Sequence, residues 1–286
     1  MSFIGIEDID ILLMRILDIE DFKNLANSSR YYYEKSNNHH LGCLLVQERF
    51  NIPYYVISAL SNPKEFLIRL YNTILKDFNH SRELVLMKIA VKYNYISIIK
   101  YQLPLIFKQE DDDIVFFDEL FSSSVRSFRD STTHNESLET LSYLIKFIRD
   151  NLSKDDSNLS LSRALKDFVG VDDEAMMMLA KEVRGTGISS HFDFYNGEDD
   201  PLMKAIGLSD TIVFTLLIKN LCPIDYDFYL LLHELAQRGE IKLVITMLEL
   251  DYSLEEKIFA ISSIMEDDDH SAPISLILQN YLEEHS

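Results

Sequence analysis

Along most of the chain, apolar residues recur at the three- and four-residue spacing of a helix face. Ile9, Leu12, Leu13, Ile16 and Leu17 follow it, and Phe22, Leu25 and Ala26 resume it. Asp18 stands between the two stretches as an N-cap for the second. Tyr31-Tyr32-Tyr33 runs into a polar break, Ser36-Asn37-Asn38-His39-His40, and Leu41 to Val46 reads as a short apolar helix. Pro53 and Pro63 punctuate the next stretch, and Phe66 to Phe78 reads as another amphipathic helix. From about Ser81 the pattern becomes pairs of helices: a first stripe, a short polar turn, a second stripe. The spacing predicts 81–92 with 95–107, 114–128 with 136–150, 159–168 with 172–184, 201–207 with 210–219, 228–238 with 241–250, and 254–265 with 272–283. Polar breaks fall at Glu110 to Asp113, Ser153 to Ser157, Gly185 to Asp200 and Asp267 to Asp269. No stretch sustains two-residue alternation, so the pattern predicts an all-α chain without a sheet.

Two of these pairs superpose without a gap at an offset of thirty residues. Leu202 maps to Leu232, Met203 to His233, Ser209 to Gly239, Val213 to Leu243, Leu217 to Met247 and Ile218 to Leu248. Matching small and apolar positions at a fixed period mark stacked helical hairpins. One hairpin cannot cover its own apolar face, so neighbours must do it. The small residue between the helices lets the chain turn where a large side chain would clash.

These residues resemble ankyrin repeats. Leu232-His233-Glu234-Leu235-Ala236, then Gly239, then Leu243-Val244 looks like the family's Leu-His-Leu-Ala-Ala, its glycine and its Val-Val second helix. Asp200-Pro201-Leu202-Met203-Lys204-Ala205 looks like the Thr-Pro-Leu-His opening. A third copy runs from Ala90 to Ile99, with Asn94 in the glycine position. The period is about three residues short of the family's ~33. Thr-Pro is lost in two copies and most loop glycines are missing, so any β-hairpin fingers are expected to be short or absent. The resemblance implies an ankyrin-like α-solenoid over residues 81–286; the alternative is an irregular α-solenoid of other ancestry. His233 holds the family's histidine position, where the resemblance implies a structural role tying adjacent loops.

The segment 6–33 resembles an F-box. Leu17-Asp18-Ile19-Glu20-Asp21-Phe22-Lys23-Asn24-Leu25-Ala26, with Arg30 and Tyr32 after it, looks like that family's Leu-Asp-x-x-Asp-Leu-x-x-Leu core and its closing basic-aromatic pair. Asp8-Ile9 and Leu13-Met14 sit where the family carries an acidic-Ile and an Ile-Leu pair, while Ile6-Glu7 replaces the usual Leu-Pro start. Glu48-Arg49-Phe50 and Pro63-Lys64-Glu65-Phe66-Leu67 are similar to the segment following F-boxes in ankyrin-like proteins of giant viruses and intracellular bacteria. The resemblance implies an F-box-like helical module over residues 1–80. It would bind the Skp-type adaptor of a cullin–RING ubiquitin ligase through Ile9, Leu13, Leu17, Phe22 and Leu25, buried aliphatic and aromatic anchors being where such affinity concentrates. The alternative is that these residues only cap the first repeat.

Composition narrows the chemistry. The 47 acidic against 27 basic residues give a net charge of −20, which repels phosphate backbones and anionic headgroups, so neither nucleic acid nor membrane is an expected partner. Eight glycines and six prolines are too few for a turn-rich sandwich or barrel. Cys43 and Cys222, the only cysteines, exclude a disulfide scaffold and fit a reducing cytosol. The start, Met1 to Asp8, lacks the basic opening of a signal peptide, and no apolar run reaches the ~18 residues of a membrane span.

No motif announces catalysis. His39-His40 before Cys43 offers a conceivable Cys-His pair, but at a helix start it reads as a solvated dipeptide beside a buried small thiol. There is no His-x-x-x-His, no Cys-x-x-Cys and no EF-hand spacing in Glu110 to Asp113 or Glu266 to Asp269, so no metal and no cofactor are expected. Gly185-Thr186-Gly187 lacks the Lys-Ser/Thr of a phosphate loop. Met176-Met177-Met178 reads as core filling, and Lys and Arg are too spread for a basic stripe. The expectation is therefore a non-enzymatic adaptor of host cytosol. It would recruit the ligase at one end and hold a target with a basic surface on its repeats. The competing expectation is an ankyrin-like scaffold or inhibitor without a ligase link.

Overall fold

The computed structural model describes residues 39–74, 81–107, 113–130, 133–185, 201–208, 210–221, 227–266 and 271–285. Among them there are fifteen helices and no strand, so the chain is all-α. It divides into two compact units between Ser127 and Phe128, inside the helix Asp113–Asp130.

The first unit holds α1 (His39–Phe50), α2 (Tyr54–Ile57), α3 (Pro63–Ile74), α4 (Arg82–Lys92), α5 (Ile96–Ile106) and most of α6 (Asp113–Asp130). The His39-His40 dipeptide belongs to α1 and not to a polar break: His39 Nε2 donates to Leu60 O at 2.9 Å and anchors the helix start. α3 begins three residues ahead of its apolar stripe. Asn62 Oδ1 accepts from the Glu65 amide at 3.0 Å, and Pro63 takes the first position, where a missing N–H costs nothing. α1 packs on α2 and α3, α3 on α4, α4 on α5, and α2 on α5. A Cβ added to Gly42 would stand 3.1 Å from Lys64 N and from Pro63 Cβ, so glycine lets α1 cross closely over the start of α3 without displacing it. Lys88 of α4 pairs with Glu119 of α6 at 2.8 Å, and Phe117 of α6 packs on Phe107.

The second unit holds the end of α6, α7 (His134–Asn151), α8 (Lys154–Phe168), α9 (Asp173–Val183), α10 (Pro201–Gly207), α11 (Thr211–Leu221), α12 (Phe228–Gln237), α13 (Ile241–Glu249), α14 (Leu254–Glu266) and α15 (Ala272–His285). α8 starts five residues before the predicted stripe. The Ser153 hydroxyl accepts from the Asp156 amide at 3.2 Å, and Asp155 and Asp156 lie in the first turn, where the helix dipole favours them. The same device opens neighbouring helices: Asp172 caps α9, Asp210 caps α11, Asp227 caps α12, and Ser253 with Glu256 forms a reciprocal capping box on α14. The Ser253 hydroxyl and amide bonded to Glu256 hold its carboxyl below the ordinary value.

Packing in this unit follows chain order. Within pairs, α8 packs on α9, α10 on α11, α12 on α13 and α14 on α15. Between pairs, like members meet: α8 with α10 and α12 with α14, α7 with α9, α9 with α11, α11 with α13 and α13 with α15. Two lysines join successive elements. Lys204 of α10 donates from Nζ to Lys166 O at 2.7 Å, at the carbonyl end of α8. Burial lowers its pKa, and the neighbouring Asp167 pulls it back up. Lys257 of α14, itself buried, donates to Leu248 O at 2.9 Å, near the end of α13. α8 is buried nearly all round and includes Ser157, Asn158, Ser160 and Ser162 in its buried set.

The turns of the repeat are built alike. Asn94 and Gly239 have φ of 56° and 75°, the left-handed region. Tyr95 N donates to Ala90 O at 2.8 Å and Asn94 N to Val91 O at 3.2 Å; Glu240 N donates to Leu235 O at 3.0 Å and Gly239 N to Ala236 O at 3.2 Å. That is one Schellman turn made twice, with asparagine standing in for glycine in one copy. Burial keeps the same register: Met87 with Leu232, Ala90 with Leu235, Ile98 with Leu243 and Ile99 with Val244 are all buried. The thirty-residue correspondence agrees at Leu202 with Leu232, Val213 with Leu243, Leu217 with Met247 and Ile218 with Leu248. Met203 is buried while His233 is half-exposed, and Ser209 lies outside the described residues.

Two stability effects follow. Gly239→Val forces a β-branched residue into the left-handed region and should cost about 2 kcal/mol, while Asn94→Gly relieves that conformation but removes the acceptor of the buried Ser127 hydroxyl, 3.1 Å away, and should cost about 1 kcal/mol. Thermal and denaturant unfolding monitored by circular dichroism reads both. Lys257→Met leaves the Leu248 carbonyl without its buried charged donor and should cost about 1.5–3 kcal/mol by the same measurement.

Candidate functional site

The anchors predicted for adaptor binding, Ile9, Leu13, Leu17, Phe22 and Leu25, lie outside the described residues, as do Thr186, Gly187 and most of the two acidic runs. The remaining candidates can be placed.

Cys43 sits one helical turn after His39 on α1, with Sγ 3.6 Å from His39 Nδ1. The Leu60 carbonyl can only accept, so the hydrogen on His39 Nε2 is fixed there, and a neutral ring then offers its Nδ1 lone pair to the thiol. A thiol, an imidazole and an orienting carbonyl in line is the geometry of an activated nucleophile. The surroundings work against it. Cys43 is fully buried, and that burial pushes its thiol pKa up, where an activated cysteine needs it lowered. His40 turns away, its Nδ1 3.0 Å from the Tyr54 hydroxyl. The exposed His39 joins the buried Cys43 to the Leu60 carbonyl and so ties the start of α1 to the Leu60 loop.

His134, at the start of α7, lies between two carboxylates of α9: Nδ1 is 3.4 Å from Asp172 Oδ2 and Nε2 is 3.3 Å from Glu174 Oε2. Its ring meets Phe128 edge-on, and Phe128 packs in the same way on Phe168. The two acids address opposite ring nitrogens, so the three groups do not converge on one ion. Among the described residues no group of three or more His, Cys, Asp and Glu side chains could hold a metal. His233 bonds along its own helix, with Nε2 3.4 Å from Gln237 Nε2 and its ring against Tyr229. Of the three methionines only Met176 is fully in the core; Met177 accepts a bond from Asn220, and Met178 faces a cleft.

That cleft lies between α7 and α9 and has a volume of about 390 Å³. Ile145 and Met178 form its apolar part; Ser142, Lys146, Arg149, Lys181 and Glu182 line the rest. Arg149 is fixed: Nη1 donates to Ser157 Oγ at 2.9 Å and to Asn158 Oδ1 at 2.6 Å, Nε reaches Glu182 Oε2 at 3.4 Å, and Nη2 bonds the Glu182 carbonyl. One guanidinium thus joins α7, α8 and α9. Sequence spacing missed this site, because its two walls are about thirty positions or more apart; the only local signal is Lys146 and Arg149 at i, i+3 on one face of α7. No described helix is long and apolar enough to cross a membrane.

The burial of Cys43 has a direct readout. In a Cys222→Ser chain at pH 8, iodoacetamide should modify Cys43 at least about a hundredfold more slowly in the native state than in denaturant. Mass spectrometry of the alkylated peptide follows it, and equal rates would restore the nucleophile reading.

No protein-family model matches the chain, and no curated protein or solved structure matches it either.

Proposed function

We propose that the chain is a non-catalytic protein-binding adaptor. Its helical pairs act as an ankyrin-like α-solenoid that holds a target protein in host cytosol, and residues 6–33 recruit a Skp-type adaptor of a cullin–RING ubiquitin ligase. The observation that carries the solenoid reading is the alternating packing of α8 to α15. Partners within a pair touch each other, and the second members α9, α11, α13 and α15 touch in succession, with α8 on α10 and α12 on α14 among the first members, as stacked hairpins require. The identical left-handed turns at Asn94 and Gly239 support it, because a recurring unit should recur in its bonds as well as in its side chains. The ligase half rests on the F-box resemblance of the segment carrying Leu17, Phe22 and Leu25. Since no open, low-pKa nucleophile accompanies Cys43, binding explains the described residues better than covalent chemistry. The second reading, a scaffold or inhibitor without a ligase link, is supported by the same packing and differs only at the N-terminal segment.

Co-purification separates the two. The full chain should retain a Skp-type adaptor, and Leu17→Asp should abolish retention by about tenfold or more with the helical circular dichroism unchanged. A folded wild-type chain that retains no adaptor leaves the scaffold reading.

A further inference from the structure

We propose that the cleft between α7 and α9 is a peptide-binding site for an acidic segment that carries an aliphatic side chain beside its carboxylates. The proposal stands on the cleft alone and is independent of the adaptor reading. Four observations converge on it. The chain carries −20 overall, yet three of the seven residues lining this cleft are cationic and one is acidic. That one acid, Glu182, is already engaged by Arg149, while Lys146 and Lys181 have no ion-pair partner among the described residues. Two ammonium groups, one from each wall, therefore line the cleft with no ion pair of their own. Ile145 and Met178 give the same cleft an apolar floor, and a methionine there adapts its shape to a side chain. Arg149, bonded to Ser157, Asn158 and Glu182, holds the three helices at fixed spacing, so the walls are set before any ligand arrives.

The size and openness select the class of ligand. The volume of about 390 Å³ is in the range of ligand sites, but the lysines at its rim are solvent-exposed. A small molecule would stay largely in water there, whereas enclosed sites cover most of their ligand. An extended peptide needs only to lay one aliphatic side chain on Ile145 and Met178 and its carboxylates toward Lys146 and Lys181. A nucleic acid would meet three cations within a strongly repulsive field. The target expected from net charge is basic; this cleft prefers the opposite, so its occupant is an acidic peptide segment separate from that basic surface.

Fluorescence anisotropy with a rhodamine-labelled hexapeptide, Leu-Glu-Asp-Leu-Glu-Asp, tests the site on the full chain. Binding should be saturable and should weaken at least about fivefold between roughly 0.05 and 0.5 M NaCl. Lys146→Glu with Lys181→Glu should weaken it by about tenfold or more, and Lys146→Gln with Lys181→Gln by a smaller factor in the same direction. Lys242→Glu, an exposed charge reversal on α13, should leave it at the wild-type value. Replacing both leucines of the peptide by glycine should weaken binding severalfold through the lost apolar contact. The proposal is overturned if the wild type shows no saturable binding, if both lysine pairs bind like wild type, or if Lys242→Glu costs as much as they do. Equal affinity for the glycine peptide would overturn the role of Ile145 and Met178.

Discussion

Short helices do not hold themselves together in water. α4, α5, α9 and α11 have eleven residues and α13 has nine, below the length at which an isolated helix is stable even with good formers. Each must gain its stability by burying a face on another helix, and that requirement organises the chain. It explains why α13 buries Leu243, Val244, Met247 and Leu248 together, and why it lies against α11 on one side and α15 on the other. It also explains the turns. Two short helices can cover each other only if the chain reverses within a few residues, and a left-handed residue at Asn94 or Gly239 makes that reversal while satisfying the last carbonyls of the first helix.

The strongly acidic composition is arranged to serve the same helices. Aspartates and serines stand at helix starts, where amides need acceptors and the dipole favours negative charge. Cations appear at the opposite ends: Lys204 and Lys257 reach from one helix to the closing carbonyls of an earlier one, and Arg149 does the equivalent across three helices. These bonds lie at half-buried or buried positions, where losing a donor costs more than at the surface. Among the described residues, part of the acidic charge is therefore found where it stabilises helix starts, and Lys146 and Lys181 are brought to one cleft.

How much of this can be read in the residues depends on the range of the interaction. The pair boundaries from Ser81 onward are legible to within a few positions because periodicity is local. The start of α8 is not, because Ser153-Lys154-Asp155-Asp156-Ser157 has the composition of a loop and also that of a capped first helical turn. Only the bond from Asp156 to Ser153 decides. The same ambiguity hides the start of α1, where two solvent-exposed histidines read as a polar break but form the first turn of the helix, with Leu60 accepting from His39. Cys43 and His39 are visible as a spacing, but the burial that changes their meaning is tertiary. The α7–α9 cleft is invisible in the sequence for the plainest reason: Lys146 and Lys181 become neighbours only when two helices pack.

The reach of the packing in residues 134–285 has a mechanical meaning. Each helix there finds its principal partners one or two elements along the chain, so strain entering at one seam dissipates before it has crossed many others. Only at α7 to α9 does one side chain, the Arg149 guanidinium, tie three helices together among the bonds described. Seams of such short reach can open one at a time without first breaking the rest.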